Sequence, residues 1–306
     1  MTSRRNFIKW SSLGGMFLSS GVFPFDLFSS QSELTKLTIL HTNDMHSRIE
    51  PFPDDGSRNA NMGGIVRRAS MVKDIRSKED NVLLLDSGDI FQGTPYFNFF
   101  KGELEFKAMT AMKYDVATIG NHDFDAGIEG FHNQLKHAKF DFVSANYNFD
   151  DTILHSAIQP FTVKKVGGIK IGIFGLGIEL EGLVPKELYK DTQYIDPVPT
   201  AQKTAMHLKF EKDCDLVICL SHLGFKYSSS KIDDLKLAKA TSGIDIILGG
   251  HTHTFLDEPV LTKNKNGETI IINQVGWAGI LLGRIDLYLE KNNTKRCYSC
   301  KNIKVL

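Results

Sequence analysis

The sequence predicts an α/β fold with mixed sheets. Three observations predict it. From residue 33 onward, short apolar runs alternate with amphipathic stretches of helix length. The apolar runs are nearly continuous, the pattern of strands buried on both faces. Three further strand pairs are joined by short glycine- or polar-rich turns, which marks hairpins and hence antiparallel pairing.

Taken in order, "LTIL" (37–40) opens the strand series. "IVRRASMVKDIR" repeats Ile65, Val66, Ala69, Val72 and Ile75 near the helical period, so a helix spans 64–78. The strands "NVLLL" (81–85), "DVATI" (115–119) and "DFVSA" (141–145) follow, with helices over 103–113 and 127–139 between them. "FTVKKVGGIKIGIFGLG" is two strands turning at Gly167-Gly168. Asp196-Pro197 supplies an N-cap and a proline suited to the first helical position, so a helix covers 198–212. "DLVICL" (215–220), a helix over 231–241 and "IDIIL" (244–248) repeat the alternation. "PVLTKNKNGETIIINQVG" turns near Asn266-Gly267, and "GRIDLYLE" pairs with "RCYSCKNIKVL" across "KNNTK".

The chain has 306 residues, 42% of them hydrophobic, and a formal net charge of +0. That length suits one large α/β domain or two small ones, and no repeat, low-complexity tract or linker marks a boundary. Balanced charge gives no reason to expect a nucleic acid or an anionic membrane as partner. Residues 1–31 read as an export signal: Arg4, Arg5 and Lys9 precede an uncharged stretch from Trp10 to Phe25. That stretch is shorter than the ~20 residues of a membrane span. "SRRNFIK" resembles the twin-arginine signal of bacteria, which implies a periplasmic or exported protein. Cys214 and Cys219 lie in or beside an apolar run and read as small hydrophobes. Cys297 and Cys300 have CxxC spacing, but no second pair completes a zinc site, and residues i and i+3 of a strand face opposite sides.

The informative polar residues fall at strand ends. "HTNDMH", "DSGDIFQGT", "GNHDFD", "SHLG" and "GGHTH" each follow a predicted strand. Ligands of α/β sheets collect at the carboxyl ends of strands, so five such clusters point to one shared site. Asp44, His46, Asp89, Asn121, His222, His251 and His253 are all oxygen or nitrogen donors, with no thiolate among them. The mixture suits Zn, Mn, Fe or Co better than Ca or Mg, which favour all-oxygen shells. Seven donors exceed one tetrahedral ion but serve two ions sharing a carboxylate. The positive balance of such a pair attracts an anion such as phosphate. His41, His132, His137, His155 and His207 read as packed or surface residues. Phe91, Tyr96, Phe97, Phe99 and Phe100, in "IFQGTPYFNFF", read mostly as the packing of a short helix, with a docking or base-contact surface as the alternative.

These motifs, with "GGIVRRA", "YDVATIGNHDFDAG", "PFTVKKVGGIKIGIFGL", "CDLVICLSHLG" and "IDIILGGHTHT", give the chain a family resemblance. From about residue 35 to the C-terminus it resembles the metallo-dependent, calcineurin-like phosphoesterases, and within them the N-terminal catalytic domain of bacterial 5′-nucleotidases and UDP-sugar hydrolases. Ser47 stands where that family often has Gly, and Asp123 where it often has Glu. The resemblance implies a four-layer α/β/β/α sandwich over residues 33–306 and two divalent ions (Mn, Zn, Co or Fe). It implies that Asp44, His46, Asp89 and His253 hold one ion and Asp89, Asn121, His222 and His251 the other, with Asp89 as bridge. His122 is then the catalytic imidazole near the leaving group, oriented by Asp125. The implied reaction is hydrolysis of phosphate esters, nucleotides first, by in-line attack of a hydroxide held between the ions. Phosphodiester or thiosulfate-ester hydrolysis is the alternative, with a non-catalytic binding module further behind. The substrate-binding C-terminal domain of the resembled nucleotidases is expected to be absent here, which leaves two alternatives: a separate protein of that type docks onto the site, or the enzyme acts alone on small phosphate esters.

Overall fold

The computed structural model describes residues 34–290 and 296–306. The export signal read in residues 1–31, the "KNNTK" turn and the side chain of Cys297 lie outside the described residues. Residues Thr35–Leu306 form one compact unit.

The first sheet contains β1 (Leu34–Thr42), β2 (Val82–Asp86), β3 (Val116–Ala117), β4 (Asp141–Phe142), β13 (Leu281–Glu290) and β14 (Arg296–Lys304), in the order β14-β13-β1-β2-β3-β4. From β1 to β4 neighbours run parallel, whereas β13 and β14 form an antiparallel pair. The second sheet contains β6 (Phe161–Val166), β7 (Ile169–Leu176), β9 (Leu216–Ser221), β10 (Ile246–Gly249), β11 (Val260–Lys263) and β12 (Thr269–Asn273), in the order β11-β12-β10-β9-β7-β6. Its centre is parallel and its edge strands β6 and β11 are antiparallel. A small antiparallel ribbon of β5 (Tyr147–Asn148) and β8 (Gln193–Tyr194) was not evident from the sequence pattern.

Strand periodicity explains the four layers. In β1, Leu37 and Ile39 turn one way and Leu40 the other; in β9, Ile218 and Leu220 oppose Val217 and Cys219. One set, including Leu37, Leu83, Ile171, Ile218 and Ile246, packs sheet against sheet. The set around Leu40 and Leu84 packs with residues of helices Ile65–Lys78, Glu103–Ala111 and Gly127–Gln134. The set around Val217 and Ile247 packs with residues of helices Pro197–Met206 and Asp234–Ala240. A strand apolar on both faces reads as an unbroken run, which is why periodicity alone leaves the layers unresolved. Each fully buried Leu, Ile or Val contributes roughly 1.5–3 kcal/mol.

Helix limits differ from the expected ones for local reasons. The stretch expected as helix 231–241 starts at Asp234 because Asp233 caps it, accepting from Lys236 N at 2.8 Å. The expected 127–139 helix ends at Gln134 and continues as a 3₁₀ turn, Leu135–His137. The expected 198–212 helix is Pro197–Met206 followed by a π turn, His207–Glu211, that keeps Leu208 buried. The Asp196 cap is present: its carboxylate accepts from Val198 N. Short helices Pro95–Phe100 and Lys186–Tyr189 complete the α-helices among the described residues.

Candidate metal centre

The parallel strands deliver their C-terminal ends to one edge of each sheet, and the two edges meet. Ser87 Oγ donates to Leu248 O at 2.8 Å, and His251 N donates to the Asp44 carboxylate at 3.0 Å. Asp44 and His46 follow β1, Asp89 follows β2, Asn121 follows β3, His222 follows β9, and His251 and His253 follow β10. All seven donors come together there. They form two groups, Asp44 with His46 and His253, and Asp89 with His222 and His251, each with ligand atoms within 4.8 Å of one another. Asp89 Oδ2 lies 3.1 Å from His222 Nε2 and 3.9 Å from His46 Nε2, so one carboxylate oxygen faces both groups. Asn121 Oδ1 lies 2.8 Å from His251 Nδ1, which joins it to the second group.

Several of these rings are oriented from behind. His222 Nδ1 donates to Ser87 O at 2.7 Å, and His46 Nδ1 to Gln92 O at 3.1 Å, turning each Nε2 inward. A histidine whose outer nitrogen is tied to a carbonyl is a preset metal ligand. His222 Nε2 is wholly buried and faces Asp89 Oδ2 at 3.1 Å without hydrogen-bond geometry. His46 Nε2 and His253 Nε2 face each other at 2.9 Å. Orphaned or opposed ring nitrogens beside two buried carboxylates fit divalent cations of the Zn, Mn, Fe or Co kind.

Among the protein groups alone the electrostatics are lopsided. Burial would raise the Asp89 carboxyl, but His222 and His46 beside it outweigh burial and hold it well below the usual range. Burial likewise opposes protonation of His222, and the Asp89 charge reverses this, pushing the imidazole up to about 10. His122 lies beside the first group, its ring 5.2 Å from that of His46. Its Nδ1 is 2.8 Å from Asp125 Oδ2, and that bond raises the His122 pKa against burial.

Glycines explain why the motifs read as they do. A Cβ on Gly120 would stand 2.2 Å from Asp89 Oδ1, and one on Gly250 would stand 2.9 Å from both His222 Nδ1 and Ser87 O. Neither position has room for a side chain.

Residues outside the expected set support the site. Asp123 accepts from the backbone N–H groups of Asp89, Ile90, Phe91 and Gly120, at 2.8–3.1 Å, and so ties two donor loops together. Asn43 donates to Asp44 Oδ2 and to Gly276 O, each at 2.6 Å. Gln274 Nε2 donates to Gly250 O, and its Oε1 accepts from Thr254 N. Asn43 and Asp123 adjoin donor residues inside the motifs, which was the available signal. Gln274 follows β12 and carried none. Of the aromatic run, Phe91 and Phe97 are buried, while Phe99 and Phe100 are exposed. His41 is buried between the sheets against Asn273.

Residues 37–255 match the calcineurin-like phosphoesterase family model. A snake venom 5′-nucleotidase of Crotalus adamanteus is 34% identical over 275 residues, covering 83% of this chain and 45% of the relative. A 5′-nucleotidase precursor of Thermus thermophilus superposes with a TM-score of 0.79 at 30% identity, over 88% of this chain and 54% of that one. The NAD nucleotidase of Haemophilus influenzae superposes at 0.76 with 29% identity, over 88% and 50%. The chain thus spans about half the length of these relatives. With the family model covering both sheets' donor-bearing strand ends, the chain belongs to the calcineurin-like phosphoesterase family.

Proposed function

We propose that this protein hydrolyses phosphate esters of nucleotides, 5′-nucleotides foremost, with two divalent metal ions. The observation that carries this reading is the convergence of seven N and O donors into two adjoining groups beside a His–Asp pair. The family uses divalent ions, and the similar chains named above are nucleotidases. In this reading Asp44, His46, Asp89 and His253 hold one ion and Asp89, Asn121, His222 and His251 the other. The ions supply positive charge for the phosphoryl oxygens and lower the pKa of the attacking water. His122 donates a proton or hydrogen bond to the departing oxygen, with Asp125 fixing the tautomer through Nδ1. Asp123 and Asn43 keep the donor loops from shifting.

Export through a twin-arginine signal in residues 1–31 is part of this reading, supported by Arg4-Arg5 before an uncharged stretch. No helix among the described residues is long and apolar enough to cross a membrane. A substrate-binding partner domain also belongs to it; Phe99 and Phe100, exposed on helix Pro95–Phe100, offer such a domain an apolar surface. The test is a panel of AMP, NAD, UDP-glucose, 2′,3′-cyclic AMP and bis(p-nitrophenyl) phosphate with Mn²⁺, Co²⁺ or Zn²⁺. Phosphate release from AMP is expected. Two bound metals with no turnover of any of these compounds, alone or with a co-purified partner, would overturn the reading.

A further inference from the structure

His253 differs from the other histidines of the centre. Its side chain is 40% exposed, against 8% for His46 and 0% for His222. His46 and His222 each tie Nδ1 to a backbone carbonyl, whereas no hydrogen bond to His253 Nδ1 is present among the described residues. Like His46 and His251, it holds a left-handed backbone, with φ of 51°. An exposed, strained ligand with no tether on its outer nitrogen needs another means of holding its ring.

Trp277 provides one. Its indole stacks on the His253 imidazole, with centroids 5.6 Å apart and planes within 7° of parallel. Phe52 packs edge-on against the indole at 5.7 Å, and the Arg48 guanidinium sits over Phe52 at 4.2 Å. The Trp277 loop is anchored to the same centre, since Ala278 N donates to Asp44 O at 2.7 Å and Gly276 N to Thr254 O at 2.9 Å. The flat stack fixes the plane of the ring and leaves Nε2 facing Asp44 and His46.

We infer that Trp277 is a positioning residue for the ion held by Asp44, His46 and His253, doing by stacking what a backbone carbonyl does for His46 and His222. This rests on the two-metal reading above. The ion of this group is accordingly the more exchangeable one, because its most exposed ligand is held by a ring face and not by a hydrogen bond.

Two experiments test it on the full chain. The first compares Trp277→Ala and Trp277→Phe with wild type and His253→Ala by calorimetric titration of the metal-free protein with Mn²⁺ or Co²⁺. Trp277→Ala should weaken one of the two ions by about 10- to 100-fold, the same ion that His253→Ala loses, and Trp277→Phe should restore most of the affinity. The second uses the fact that Trp10 and Trp277 are the chain's two tryptophans. In a Trp10→Phe protein, Co²⁺ should quench the remaining indole fluorescence in step with the weaker ion. Equal affinities in Trp277→Ala and wild type, equal weakening of both ions, or no quenching would each overturn the role of Trp277. A wild-type chain that takes up fewer than two ions would instead sink the two-metal reading, and this inference with it.

Discussion

Five of the seven donor residues hold left-handed backbones: Asp44, His46, Asp89, His251 and His253 have φ between 48° and 71°. Such a conformation costs roughly 1–2 kcal/mol for a residue with a Cβ. Strain of this kind persists where surrounding structure over-determines it, and it gathers at functional sites. Here the enforcers are the N–H groups gathered by Asp123 and the clamps from Asn43 and Gln274. Ser47, at φ of 52°, occupies another such position, which explains why a glycine suits that place in the resembled family. Three predictions belong at this scale. His122→Asn should lower kcat by about 10²–10⁴-fold while elemental analysis still finds two metals; lost metal would mean His122 is a ligand. Asp89→Asn should reduce the affinity of both ions, and an unaltered stoichiometry and affinity would count against its bridging position. Gly120→Ala should disable the enzyme about as severely as Asp89→Asn, because the new Cβ displaces the Asp89 carboxylate; wild-type turnover in that variant would refute the packing argument.

At the scale of elements, the strand series was legible because burial on both faces demands apolar residues at every position. The strand ends were legible because Asp, Asn and His follow those runs directly. Less legible were β3 and β4, expected at five residues each and pairing over two. Beyond that ladder the backbone turns to other partners, Ser144 N donating to Gln159 O and Ala145 N to Gly175 O, while Thr118 Oγ1 donates to Val143 O. The short ribbon β5–β8 has no periodic signal at that length. Ile218 lies at the centre of the sheet-on-sheet core and is 0% exposed. Ile218→Ala should lower unfolding free energy by about 2–5 kcal/mol in a urea titration. A loss under about 1 kcal/mol would show that the interface between the sheets collapses around the gap.

At the scale of the molecule, the candidate metal centre lies at a seam between two sheets. Asp44, His46, Asp89 and Asn121 come from the first sheet, and His222, His251 and His253 from the second. In the proposed two-metal reading, ions bound there would tie the halves together and stabilise the folded chain by mass action, about 2.7 kcal/mol for each ion at 100 times its Kd. Chelation should therefore lower Tm by on the order of 10 °C, with recovery on adding Mn²⁺, read by differential scanning calorimetry. An unshifted Tm would mean the seam holds without ions. The sequence by itself determined the order of strands along the chain and placed seven nitrogen and oxygen donors at strand ends, because motif chemistry is local and each motif abuts its own strand, while the pairing of His122 with Asp125 came from the family resemblance. The tertiary structure alone decided which loops Asp123 and Gln274 restrain, how near the two donor groups stand to each other, and that Trp277 stacks on His253. Such relations join residues far apart in the chain, His251 N donating to Asp44 across 207 positions. Their proximity is set by how the sheets pack, which no local run of residues encodes.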